Sequence, residues 1–232
     1  MTSPKSIYRF IVSVSCLAIG LVGWNARAAR ATSGLVAIYD FGAASGAVVK
    51  DRSGVRPGLD LRISNLKAVR RTMGVLEVRG KTVIRSDQPA AKIFNGVRRS
   101  GAITIEAWVK PANTRQDGPA RMVTLSRDTS SRNFTMGQDK DRFETRFRTS
   151  GTSLNGVPAV ITPTKSARVA VMHVVYSRSR AGRVRMFLNG KRVAEKMVPG
   201  AISNWAGDYR LALANEMTGD RPWLGTFYLV AI

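Results

Sequence analysis

The stretch Val171–Met197, VMHVVYSRSRAGRVRMFLNGKRVAEKM, constrains the fold more tightly than any other part of the chain. Val169, Val171, His173 and Val175 alternate with Ala170, Met172, Val174 and Tyr176, which is β character with both faces largely apolar. Ser179–Gly182 breaks that run. In Arg183–Asn189, Val184, Met186 and Leu188 share one face and Arg183 and Arg185 the other. Asn189-Gly190 then supplies the two residues that tolerate positive φ, as a two-residue hairpin loop requires. Lys191–Met197 returns as the third strand, so the segment predicts an antiparallel sheet.

The rest of the chain repeats the pattern. Leu35–Phe41, Ala47–Asp51, Leu59–Ile63, Val75–Val78 and Thr82–Ile84 read as short strands. Ser86–Asn95 predicts one or two helical turns with Asp87 near the start. Ala102–Lys110 is a clear strand ended by Pro111, which has no N–H for a ladder. Met122–Ser126, Asn133–Gln138 and Arg142–Arg148 follow, then a long polar loop over Ser150–Lys165. Pro199–Asp208 connects to the last strands, Tyr209–Ala214 and Leu224–Val230. Short strands with turns between them and no long 3.6-period segment predict an all-β fold, an antiparallel sandwich or barrel.

The N-terminus predicts export. Lys5 and Arg9 precede an apolar stretch of fifteen residues, Phe10–Trp24, and Ala26-Arg27-Ala28 is a small-x-small cleavage site. A membrane span needs about 20 apolar residues, so a cleaved signal peptide over residues 1–28 is the better reading, with no transmembrane helix in the mature chain. A short linker over 29–34 and one domain over 35–232 follow, in the periplasm or outside the cell. Cys16 is the single cysteine. Ser13 stands where a lipidation signal carries an aliphatic residue, and cleavage leaves no thiol, disulfide or Cys-based zinc site.

The formal charge is +22. Losing Lys5, Arg9 and Arg27 leaves 34 basic against 15 acidic residues, or +19. That balance attracts anionic partners, although charge spread along the whole chain also suits solvated outer strand faces.

Seven segments resemble laminin-G-like jelly-roll domains of the concanavalin A-like lectin/glucanase superfamily. They are Leu35–Phe41 with Val49–Gly54, then Ile103–Pro111, His173–Tyr176 with Met186–Gly190, Leu211–Glu216, and Trp223–Gly225. Two departures stand out. Thr226-Phe227-Tyr228 follows Gly225 where relatives often carry Asp-Glu, and the chain stops at Ile232, which makes a truncated C-terminus one reading. The resemblance implies two packed, curved antiparallel sheets that bind glycans or proteins at rim loops or on a concave face, sometimes through calcium.

The residues give several candidate sites. A sugar needs an aromatic platform beside polar groups, which Trp205 and Trp223 supply, with Asn215 and Tyr209 near them. Trp108 reads as core. Calcium wants several oxygen ligands, and Asp139, Asp141, Asp208 and Asp220 are the weak candidates, since aspartates also sit in turns for conformational reasons. Arg178, Arg180, Arg183, Arg185, Lys191 and Arg192 form a candidate polyanion patch for acidic polysaccharide or an envelope surface. Nucleic acid fits less well, because readers of single strands interleave aromatics with such cations. No catalytic residue stands out. Glu106 has no carboxylate near it in sequence and reads as the partner of an arginine, and His173, the single histidine, reads as a core residue. The expectation is a non-enzymatic, lectin-like carbohydrate-binding module. An adhesive domain for protein or an anionic envelope is the alternative, and a glucan hydrolase comes third.

Overall fold

The computed structural model describes residues 34–232. Residues 1–33, which hold the expected signal peptide and most of the expected linker, lie outside the described residues. The strands in chain order are β1 (Ile38–Tyr39), β2 (Val48–Val49), β3 (Leu61–Ile63), β4 (Val69–Thr72), β5 (Val75–Val78) and β6 (Ile84–Ser86). After helix α1 (Ala91–Ser100) come β7 (Ile103–Pro111), β8 (Ala120–Ser126), β9 (Arg132–Asp139), β10 (Arg142–Phe147) and β11 (Val160–Ile161). The last are β12 (Met172–Arg178), β13 (Arg183–Leu188), β14 (Lys191–Met197), β15 (Arg210–Leu213) and β16 (Gly225–Ala231).

These strands make two eight-stranded sheets. Sheet A runs β14-β13-β12-β7-β16-β5-β4, with β1 also on β16, and sheet B runs β11-β10-β9-β8-β15-β6-β3-β2. All ladders are antiparallel. One side of β16 serves two short partners in turn: Gly225–Phe227 faces β5 and Val230–Ala231 faces β1. The anticipated hairpin stands, with Asn189 at φ 50° and Gly190 at φ 81° closing β13 onto β14.

Period-2 alternation packs the sandwich. Ile103, Ile105, Ala107 and Val109 of β7 are buried, as are Met172, Val174 and Tyr176 of β12 and Phe134 and Met136 of β9. Trp223, Phe227, Phe41 and Tyr39 fill one end of this core. Full burial of such a side chain stabilises the fold by roughly 1.5–3 kcal/mol. The buried Tyr39 hydroxyl donates to Leu59 O at 2.7 Å. Lys92 of α1 forms a buried ion pair with Asp51.

Three local expectations are corrected. The helix lies later than expected, over Ala91–Ser100, and ends where Gly101 turns left-handed at φ 68°. Asp87 is not its cap, because its carboxylate accepts from Arg62 Nε at 3.3 Å. Val169 and Val171 are exposed and precede β12 rather than belonging to it.

Candidate functional site

A concave feature lies where two loops leave neighbouring strands. The segment after β7 and the segment before β16 are tied by Ala112 N–H to Leu224 O at 3.1 Å. Between them is a cleft of about 620 Å³, lined by Asn113, Arg115, Gln116, Asp117, Asp220 and Arg221.

A buried amide network sets its floor. Gln116 Nε2 donates to Gln138 Oε1 and to Leu224 O, both at 2.9 Å, and Gln116 Oε1 accepts from Leu224 N–H at 2.6 Å. Gln138 Oε1 also accepts from Trp223 Nε1 at 2.9 Å, while its Nε2 donates to Asn113 O and Lys140 O at 2.7 Å. Every polar atom of the two glutamine side chains has a partner, which rigidifies the floor. Asn215 staples the far wall: its Oδ1 accepts from Glu216 N–H and Arg221 N–H, both at 2.9 Å. Above the floor, exposed Asp117 and Asp220 present acceptors while Arg115 and Arg221 present donors. The Thr218 hydroxyl, at 2.5 Å, holds the Asp220 carboxyl below its ordinary range, together with nearby Arg221 and Arg121.

The aromatic expectation is reversed. Trp223 is fully buried against Phe227 at 4.7 Å between ring centres, so it supports the cleft from below and offers no stacking face. Trp205 packs between Phe134 and Phe147 and donates Nε1–H to Arg148 O at 2.8 Å. Tyr209 and Asn215 are buried as well. Trp108, read as core, instead lies partly buried on the face of sheet A turned away from the core, stacked on His173 at 4.5 Å and 16°. His173 is therefore not a core residue, and among the described residues Glu106 meets both rings of this pair. Glu106 Oε1 accepts from Trp108 Nε1 at 3.2 Å and lies 3.1 Å from His173 Nε2.

The candidate metal ligands do not converge. Asp139 faces Arg142 at 3.8 Å, Asp141 accepts from Lys165 N–H at 2.9 Å, Asp208 is exposed beside a smaller hollow, and Asp220 stands at the rim cleft. Among the described residues no three His, Cys, Asp or Glu side chains cluster as a metal site would. The cleft's own donors do not fit calcium. Two guanidiniums share it, and Asn113 Oδ1 already accepts from Arg115 N–H at 2.9 Å.

The cationic patch is divided. Arg178 is buried, donates to Gly101 O, Val198 O and Gly200 O at 2.9–3.2 Å, and lies over the Phe147 ring, so it holds loops together. Arg180 is exposed in the turn after β12, and Lys191 is exposed at the start of β14. Arg183, Arg185 and Arg192 converge on Glu195 at 2.8, 3.4 and 2.6 Å.

A second polar cluster went unread in the sequence. On the outward face of sheet B, buried Arg121 pairs with buried Glu216 at 3.0 Å, and Arg146 pairs with Glu144 at 2.5 Å. Ser126 donates to Glu216, and Thr124 and Thr135 share a hydrogen bond at 2.6 Å. Arg132 is buried there too, bonded to Thr135 and Thr129, with no carboxylate in salt-bridge reach among the described residues. Burial, reinforced by the Arg121 charge, pushes its guanidinium down to about 9.

Residues 86–232 match a laminin-G-type family model described as the concanavalin A-like lectin/glucanases superfamily. The chain belongs to this superfamily. No curated protein matches it. Solved structures with the same fold include the receptor-binding domain of botulinum neurotoxin C/D mosaic serotype, with TM-score 0.61 and 9% identity over 87% of this chain and 48% of that one. Another is a botulinum neurotoxin type C structure whose title describes cell entry dependent on two ganglioside molecules, with TM-score 0.59 and 10% identity over 86% and 47%. A Trypanosoma rangeli sialidase in complex with 2,3-difluorosialic acid has TM-score 0.61 and 15% identity over 87% and 31%. The superfamily member described here thus spans less than half the length of each of these chains.

Proposed function

We propose that this superfamily member is an exported, non-enzymatic binding module that takes carbohydrate in the rim cleft. The cleft carries the reading. Its 620 Å³ suits a few sugar units, and Asp and Arg side chains alternate around it above a floor locked by Gln116, Gln138 and Trp223. A polyhydroxylated ligand uses both kinds of group, because each hydroxyl donates and accepts. Export rests on the leader-like sequence of residues 1–28.

The carboxylates support a binding role over hydrolysis. A retaining glycosidase needs a nucleophile and an acid about 5 Å apart, the acid with a raised pKa. Glu144 and Glu216 are buried, and each is already bonded to an arginine, Arg146 and Arg121 respectively.

The test is binding of the chain to a panel of neutral polysaccharides, followed by Asp117→Asn/Asp220→Asn. Salt-tolerant binding to one glycan that falls about tenfold or more in the double variant supports the reading. Unchanged affinity in a folded double variant removes the cleft from it, and release of reducing sugar would restore an enzymatic role.

A further inference from the structure

We propose that the outward face of sheet A is a second binding surface, for an anionic polysaccharide whose carboxylates or sulfates sit on the arginines of β13 and β14 and whose sugar rings meet the Trp108–His173 pair. This surface is separate from the rim cleft. Arg185 stands opposite Ser177, and Ser177 opposite Thr104, at the end of β7 remote from Pro111 and the cleft.

Charge complementarity carries the argument. Arg183, Arg185 and Arg192 all reach the one carboxylate of Glu195, within 3.4 Å, so the four groups carry a net charge of +2 at neutral pH. The shared carboxylate orients the guanidiniums while about half of each arginine side chain stays in solvent, at 55%, 43% and 54% exposure. Their remaining N–H groups are free to fork onto an incoming oxyanion.

The rest of the face extends the site inward. Arg192 faces Phe187, Phe187 faces Val175, and Val175 faces Glu106 in a row across four strands. Beside that row stand Trp108 and His173 with stacked rings, partly buried and pinned by Glu106. A pinned ring pair gives a sugar an apolar surface without the entropy cost of ordering it on binding.

The spacing argues for a polysaccharide over nucleic acid. Arg183 and Arg185 are two residues apart on one strand, so roughly 6.7 Å separates their positions. Duplex DNA carries a charge about every 1.7 Å and calls for denser cation tracks.

The experiment uses the full chain on immobilised polygalacturonate, with neutral dextran and duplex DNA as comparisons. Polygalacturonate should retain the protein at low salt and release it as ionic strength rises, while dextran does not retain it there. Arg183→Gln/Arg185→Gln should weaken retention about tenfold or more, and Trp108→Leu should weaken it further. Asp117→Asn/Asp220→Asn, in the rim cleft, should leave it unchanged, which separates failure here from failure of the cleft reading. Equal retention of the folded arginine variant, loss of retention in the cleft variant, or tighter capture of duplex DNA than of polygalacturonate would each overturn the proposal. Should Trp108→Leu not fold, the arginine variant decides alone, since its two positions are solvent-exposed.

Discussion

The outward faces of the two sheets begin from the same sequence pattern and end in different environments. Each is built from the polar half of alternating strands, and each places several arginines near fewer glutamates. On sheet A the arginines of β13 and β14 fan over Glu195 in solvent. On sheet B, Arg121 and Glu216 are 1% and 0% exposed. Neighbouring loops account for part of that difference. Leu154 O accepts the Arg132 N–H at 3.1 Å, Arg221 O accepts the Arg121 N–H at 3.0 Å, and Asn155 Oδ1 accepts from Arg146 at 3.0 Å. The same ion pair has different weight in the two places. In solvent it contributes about 0–1 kcal/mol, whereas a buried partner left alone is an uncompensated charge.

The largest effect that sharpens this contrast is expected at Arg121. Arg121→Ala leaves Glu216 buried with only Ser126 and the Met217 N–H as described donors to its carboxylate. It should lower unfolding free energy by about 3–5 kcal/mol, read from the denaturant midpoint. A loss below 1 kcal/mol would mean that water reaches this face and that the two faces are alike.

A comparable loss, about 3 kcal/mol, is expected for Lys92→Ala, which strands Asp51 beneath α1. Here pH gives a second reading. Burial alone would raise the Asp51 carboxyl, but Lys92 and the Ser53 and Leu59 N–H groups hold it below its ordinary value. A carboxyl depressed in the folded state contributes stability that is full above the unfolded value near 4 and is lost as pH falls through the lower folded value. The stability gap between the parent chain and Lys92→Ala should therefore close below about pH 4. A gap that stays constant down to pH 2 would break this account.

How much of this the sequence carried depends on which contacts are local. Val75–Val78 and the Asn189-Gly190 hairpin were legible because alternation and turn chemistry act within a few residues. The inward turn of Trp205 and Trp223 was not legible. It depends on Arg148 O and Gln138 Oε1, 57 and 85 residues away. Trp108 failed in the opposite sense. On β7 it alternates with Ile105, Ala107 and Val109, so period 2 already places it off the core face, and aromatic character was given more weight than position. The burial of Thr124, Ser126, Thr135 and Glu144 was not legible either, because nothing in a strand announces the loops that will bond across it.

Arg132 sets the next and smaller test. It is a buried guanidinium without a carboxylate in reach among the described residues, its Nε has no hydrogen-bond partner, and it is pushed down to about 9. A cation whose folded value is depressed opposes folding at neutral pH, and that cost diminishes as pH rises toward its unfolded value. Arg132→Met, which keeps much of the volume and removes the charge, should thus change stability by less than about 1 kcal/mol, with gain the expected sign. A loss of several kcal/mol would show that its bonds to Thr135 and Thr129 outweigh the desolvation.

The smallest effect belongs to the open face. Arg183→Gln/Arg185→Gln leaves Glu195 with Arg192 at 2.6 Å, and all of these groups remain in water. Their loss should move unfolding free energy by no more than about 0.5 kcal/mol. The two faces then separate by role: arginine changes under the loops of sheet B act on stability, and arginine changes on sheet A act on binding. If thermal unfolding of this variant shifts as far as that of Arg121→Ala, the fan is structural, and the wide exposure of its guanidiniums has no functional meaning.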